Sequence, residues 1–354
     1  MTAPAAALPT YLKKLTHLRQ GVTKYGKAPH KPILLLTFIE LFEKGEITAN
    51  KVYISPELVA LFKEIFALLV KTAHKADFFF PFYHLSGEGF WTIRTRLGVP
   101  LQVYIGNFNK LHEAVDYGCF SEELYALLHR KEHRDVLKTA LLDRYFPDTK
   151  NSYLAIKQGS YIQNLQRYLL NESTASYALP ESAANEEELF IRGGLFKKLV
   201  PQVYNHTCCM SGMRLVSSHG YSMIDACHIV PFSLSKDDKV NNGLALCPNL
   251  HRAFDRGLVS VSEKLRILVS DAIAEDLTNA YALLHLRGKT LTLPFGEKHF
   301  PSAANLAWHR EQVFKGIGPM NYIFALFLKF CGKRSLMFLW LMDMMFCRVC
   351  FSHW

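Results

Sequence analysis

The sequence predicts an α+β protein in two regions, and three observations carry that prediction. Residues 10–148 are dominated by helical apolar periods that open on proline and close on glycine or proline. Residues 225–257 instead spell a short strand, a second strand and a helix in close succession. Between the regions, residues 149–187 turn polar, small and acidic, the composition of a linker. A chain of 354 residues has room for two such regions.

The elements follow in order. "APHKPILLLTFIELFEKG" places Pro32 in the first turn of a buried helix and Gly45 at its stop. "SPELVALFKEIFALLVKTAH" repeats the device, with Ser55 able to cap and Pro56 in the first turn. "GFWTIRT", β-branched and aromatic, predicts a strand. "SEELYALLHRKEHRDVLKTALLDRYF" predicts one or two helices, broken near Arg130 and ended by Pro147. Within the linker, "SYIQNLQRYLL" is a short helical stretch. The second region, 188–316, opens on the amphipathic "LFIRGGLFKKLVPQVY". There "SMIDACHIVPF" predicts a strand ending near His228, Asn242-Gly243 a turn, "LALC" a returning strand and "NLHRAFDRG" a helix closed by Gly257.

Composition narrows the function. Apolar content of 49% and charged content of 20% exclude a disordered chain. A formal charge of +10 favours a polyanionic partner, because Lys and Arg displace counterions from phosphates. Eight cysteines are scattered without a disulfide framework, and the start "MTAPAAALPTYLKKL" lacks a secretory signal. A reducing cytoplasm is therefore expected. The apolar tail, 317–354, is interrupted by Lys329, Lys333, Arg334 and Asp343 before about 20 apolar residues accumulate. It is expected neither to span a membrane nor to carry function.

One constellation carries chemistry. His251 and Asp255 stand four apart, so their side chains share one helix face and can hold a divalent ion. His228, at the strand end, can act as general base, since an imidazole titrates near physiological pH. Asn242 can fix the intervening loop and hold that imidazole. Singly, each is more often a satisfied or solvated residue. As an ordered set with Pro231 and "LCPNLH", they point to metal-assisted phosphodiester hydrolysis.

The segment from "HTCCMSG" through "DACHIVPF", "NNGLALCPNLH" and "FDRGLVSV" resembles the HNH (ββα-metal) nuclease domain, and "LAWHREQVF" resembles the usual end of one subgroup. The resemblance implies that His228 is the general base, Asn242 the central asparagine, His251 a catalytic metal ligand and Asp255 a second one. Two departures stand out. Cys227 occupies the position where relatives carry a metal-binding His, Asp or Glu, and Asp225, two residues back on the same strand face, is the candidate substitute. The second cysteine of each expected zinc pair is missing after Cys209 and Cys247, so no structural zinc is expected. Mg²⁺ or Mn²⁺ is the expected cofactor, with other transition metals open.

In the first region, Lys27, His30 and Lys31 of "YGKAPHKPILLL" cluster at a helix start, where backbone N–H groups favour an anion. "FFFPFYHLSGEGFW" adds aromatics around Pro81. Taken alone, these aromatics are core and these cations solvated. "GKAPHKPILLL" followed by that segment nevertheless resembles the sulfur-binding domain of phosphorothioate-dependent (type IV) restriction endonucleases. That resemblance implies an apolar cavity for a backbone sulfur and places His30, Lys31, Phe80, Pro81 and His84 at the DNA. The expected partner is double-stranded DNA carrying phosphorothioate, with no membrane partner and a homodimer left open. Two further readings remain: an HNH nuclease directed to a methylated or otherwise modified base, and a modified-DNA-binding protein whose nuclease has decayed at Cys227.

Overall fold

The computed structural model describes residues 4–100, 105–155, 159–171, 186–217 and 222–316; the apolar tail, 317–354, lies outside the described residues. Packing divides the chain into two units. One holds Met1–Asn205 with Pro231–Leu244 and Pro294–Phe300, the other His206–Val230, Ala245–Leu293 and Pro301–Trp354. Among the described residues helices dominate and every sheet has two strands, so the class is α+β.

In the first unit, α1 (Pro4–Thr16) precedes a small antiparallel hairpin of β1 (Val22–Thr23) and β2 (Gly26–Lys27). α2 (His30–Glu43) is the core helix, with every residue from Pro32 to Phe42 buried. α3 (Pro56–Leu69) starts where the sequence predicts, and the Ser55 side chain accepts a hydrogen bond from the Leu58 N–H. α4 (Phe79–His84) runs through a 3₁₀ turn, Leu85–Glu88, into β3 (Trp91–Thr95). α5 (Phe108–Ala114) then leads into β4 (Val115–Phe120), which pairs antiparallel with β3. Trp91 stacks on Phe38 at 5.0 Å, and its indole N–H donates to the Phe82 carbonyl at 3.0 Å. α6 (Glu122–His129) and α7 (Lys131–Tyr145) are separate helices broken at Arg130, as the sequence predicts.

The stretch read as linker holds two helices, α8 (Lys150–Ala155) and α9 (Ser160–Leu169), both packed on α3. Tyr153, Leu165 and Leu169 are buried there, and the Tyr153 hydroxyl donates to Glu40. α10 (Glu186–Val203), which the sequence places at the start of the second region, also packs on α3. The Pro231–Leu244 segment adds the short α11 (Phe232–Ser235). Among the described residues no helix is long and apolar enough to cross a membrane.

The second unit contains β5 (Asp225–His228), the latter half of its partner strand β6 (Gly243–Leu246), and α12 (Pro248–Asp255). An antiparallel pair, β7 (Val259–Val261) and β8 (Ile267–Val269), and α13 (Ala303–Gln312) follow. The predicted strand, strand and helix are present, but the connection is not. Asn242-Gly243 forms no tight hairpin turn: Asn242 closes a 3₁₀ turn, Val240–Asn242, and Gly243 is extended at φ −127° and ψ 145°. Glycine is needed there for close approach. A Cβ at 243 would lie 2.6 Å from Val200 Cγ2 and 3.1 Å from the Phe196 ring.

Candidate functional site

α12 is amphipathic at short range. Leu250, Ala253 and Phe254 are buried, which turns His251 and Asp255 to the opposite side. β5 supplies the facing residues, because alternation puts Asp225 and Cys227 on one face of the strand. The result is one cluster. A sulfur of Cys227, a nitrogen of His251 and a carboxylate oxygen of Asp255 all lie within 4.8 Å of one another. The His251 ring is held from both sides, with Asp225 Oδ2 at 3.2 Å from Nδ1 and Asp255 Oδ2 at 3.5 Å from Nε2. Cys227 Sγ–H donates to Asp255 Oδ1 at 3.7 Å.

This donor set fits a divalent cation: a carboxylate, an imidazole and a sulfur converge, and a second carboxylate waits at the far nitrogen. Cys227 is fully buried. Burial, then the Asp255 charge, pushes its thiol well above the ordinary cysteine range. His228 follows Cys227 on β5 and is half-exposed. Asn242 is fully buried in the first unit, where its side-chain N–H groups donate to the Asp237 carbonyl at 3.0 Å and to Ser235 Oγ at 3.5 Å. Those bonds fix the 231–244 connection.

Cys247 of the expected zinc pairs faces Cys208, the chain neighbour of the expected Cys209. Their mutual hydrogen bond pulls the Cys208 thiol down to about 5 and pushes that of Cys247 up. Ser211 donates its backbone N–H to Cys208 Sγ at 3.5 Å.

On the first unit the aromatic run sorts itself by helical spacing. Phe78 and Phe82 are buried, whereas Phe80 is 45% exposed and stacks on His84, four residues on, at 6.3 Å. Pro81 is buried with Phe82. Partial burial and then the Lys31 ammonium lower the pKa of His84. The expected cationic triplet divides. Lys27 is exposed on β2, while Lys31 forms an ion pair with Glu88, which sequence reasoning missed for want of any motif around it. His30 packs on Phe66 at 5.1 Å and on His74 at 6.0 Å. Burial lowers its pKa, and its Nε2–H donates to the Lys75 carbonyl at 2.7 Å, so the ring is a neutral donor rather than a cation. A cavity of about 330 Å³ is lined by Tyr83, Ser86, Thr92 and Thr95 with apolar neighbours.

Comparison with known proteins gives each region a family. Residues 208–262 match the HNH_2 family model, described as HNH endonuclease, so the chain carries an HNH-type DNA endonuclease domain. Residues 9–159 match the model described as ScoMcrA-like, DNA sulfur-binding domain. The chain thus joins a DNA sulfur-binding domain of the ScoMcrA-like family to an HNH endonuclease domain. Among solved structures, the modification-dependent TagI restriction endonuclease is 23% identical at a TM-score of 0.27; the match covers 33% of this chain and 37% of that one. The chain therefore matches little more than a third of TagI's length. The sulfur-binding domain of SprMcrA complexed with phosphorothioated DNA is 21% identical at a TM-score of 0.33, over 41% of this chain and 88% of that one. The type IV phosphorothioation-dependent restriction endonuclease ScoMcrA is 10% identical at a TM-score of 0.28, over 69% and 94%. No curated protein matches the chain.

Proposed function

We propose that the chain is a modification-dependent restriction endonuclease, in which residues 10–148 recognise phosphorothioated DNA and residues 188–316 cut phosphodiester bonds nearby. The observation that carries this reading is the cluster of Cys227, His251 and Asp255 on a strand–helix pair of an HNH domain, in a chain that also holds a DNA sulfur-binding domain. In the cytoplasm, where such DNA would be met, double-stranded phosphorothioate DNA is the partner.

His251 and Asp255, with Cys227, would hold a divalent cation, Mg²⁺ or Mn²⁺, which supplies charge for the developing phosphorane and the leaving oxygen. Asp225 accepts the Nδ1–H of His251 and so presents Nε2 toward Asp255. His228 takes the proton from the attacking water, a contribution of about 10²–10⁴ in rate for a general base. Asn242 keeps the 231–244 connection in place through its bonds to Asp237 and Ser235. In the first unit, Phe80 and His84 offer an apolar contact to the sulfur, which is larger and less hydrated than oxygen, while Lys27 attracts neighbouring phosphates.

A second reading, a DNA-binding protein with a decayed nuclease, draws on the buried Cys227 thiol. The deciding experiment digests phosphorothioated and plain plasmids side by side with Mg²⁺, Mn²⁺ and other divalent ions, for wild type and His228→Ala. Cutting of the modified plasmid alone, lost in the variant with binding kept, is expected. Binding without cutting under every metal supports the decayed site, and cutting of both plasmids removes sulfur recognition.

A further inference from the structure

Asp255 is the last residue of α12, where a helix ordinarily frays because its final carbonyls lack intrahelical partners. Here that end is clasped by the chain around α13. The Phe254 carbonyl, one peptide before Asp255, accepts twice: from the Gly257 N–H at 2.9 Å and from His309 Nε2 at 3.1 Å. A carbonyl only accepts, so Nε2 carries the proton. In a neutral ring Nδ1 must then accept, and the Ser260 hydroxyl lies 2.9 Å from it. The imidazole also lies flat on the Phe254 ring, with centroids 3.6 Å apart and planes 13° apart.

The clasp continues past the helix end. Gly257 has a φ of +71°, and a Cβ there would fall 2.0 Å from the Val313 carbonyl oxygen. The Lys315 N–H donates to the Gly257 carbonyl at 2.9 Å. His309 itself is 2% exposed, and burial drops its pKa to about 4, so the neutral tautomer that these bonds require is the resident one. Nothing in α12 packing alone needs a histidine at this position. A leucine would fill the space, but it could neither donate to Phe254 nor accept from Ser260.

We propose that His309 is a positioning residue for the nuclease: held by Ser260, it grips the Phe254 carbonyl and thereby sets the backbone from which Asp255 reaches the metal cluster. The inference rests on the metal-site reading above. Outer partners that orient ligands typically change metal affinity by about 10–100-fold when removed.

The test is Mn²⁺ titration of the full chain by calorimetry, in the absence of DNA, alongside thermal melts. His309→Phe keeps the stacked ring and removes the donor; it is expected to weaken Mn²⁺ binding about tenfold. His309→Gln, which restores an N–H donor near the Nε2 position, is expected to recover most of that loss. Ser260→Ala, a milder change that leaves His309 in place but unanchored, is expected to lose a few-fold. It decides the matter should His309→Phe fail to fold. Asp255→Ala is the reference and should lose binding outright. If Asp255→Ala loses Mn²⁺ while His309→Phe, or failing it Ser260→Ala, binds like wild type, His309 is merely structural and the proposal is overturned. If Asp255→Ala itself binds like wild type, the metal-site reading and this inference fall together.

Discussion

Asp225 Oδ2 lies 3.2 Å from His251 Nδ1, on the ring nitrogen opposite the one that faces Asp255. The sequence offers Asp225 as a substitute ligand for the metal. Its position at the far nitrogen makes it a hydrogen-bond acceptor that fixes the ring. The two roles separate by magnitude. Asp225→Asn should weaken Mn²⁺ binding by about tenfold and leave it measurable, whereas His251→Ala should abolish it. Equal losses in calorimetry would make Asp225 a ligand in its own right.

Cys227 bears on which ion is used. Sulfur is a soft donor and discriminates against Mg²⁺ relative to softer divalent ions. Cys227→Asp should therefore raise the ratio of Mg²⁺-supported to Mn²⁺-supported cleavage, measured on one modified plasmid at matched ion concentrations. An unchanged ratio would mean that the buried thiol stays outside the coordination sphere.

The strand, strand and helix of the nuclease region were legible because each announces itself locally: Pro231 after the first strand, Pro248 at the helix start, Gly257 at its end. The connection was not. Asn242-Gly243 carries a hairpin signature, yet Gly243 is there to admit Val200 and Phe196 from a helix some forty residues earlier, a contact no local pattern encodes. The same limit hid Glu88 behind Lys31 and Ser260 behind His309, since pairs 57 and 49 residues apart leave no spacing to detect. Composition hid α8, and it hid the packing of α9, whose helix the sequence does show. Their polar residues face outward, and the few that pack, Tyr153, Leu165 and Leu169, are too sparse to alter the average.

The recognition proposed for the first unit divides into an apolar and a cationic part. Phe80→Ala and His84→Ala remove exposed stacked rings without opening the core, so they should erase the preference for phosphorothioated over plain duplex and leave general affinity nearly intact. Lys27→Ala should weaken both duplexes alike and reduce the salt slope by roughly one phosphate. Fluorescence anisotropy with duplexes of one sequence, at several salt concentrations, reads both effects. An unchanged preference in Phe80→Ala and His84→Ala would move the sulfur contact elsewhere, and Pro81, being buried, would be a poor next probe because a charge there damages the fold.

His309 gives the nuclease unit a pH dependence of definite sign. Its folded pKa, about 4, lies below the 6.5 of the unfolded chain, so between those values the unfolded state binds more protons. Its contribution is complete above pH 6.5 and is lost as pH falls toward 4. The shift corresponds to roughly 3 kcal/mol at full span. Other buried groups also have shifted pKa values, Glu187 among them, raised chiefly by burial, so the wild-type curve alone does not isolate the effect. The difference between wild type and His309→Gln does. Chemical denaturation at pH 7 and pH 5 should show wild type losing about 2 kcal/mol more than the variant, which has no group to protonate there. Parallel losses in the two proteins would mean that His309 takes up its proton at the same pH folded as unfolded, and Nδ1 would then donate to the Ser260 hydroxyl at low pH instead of accepting from it.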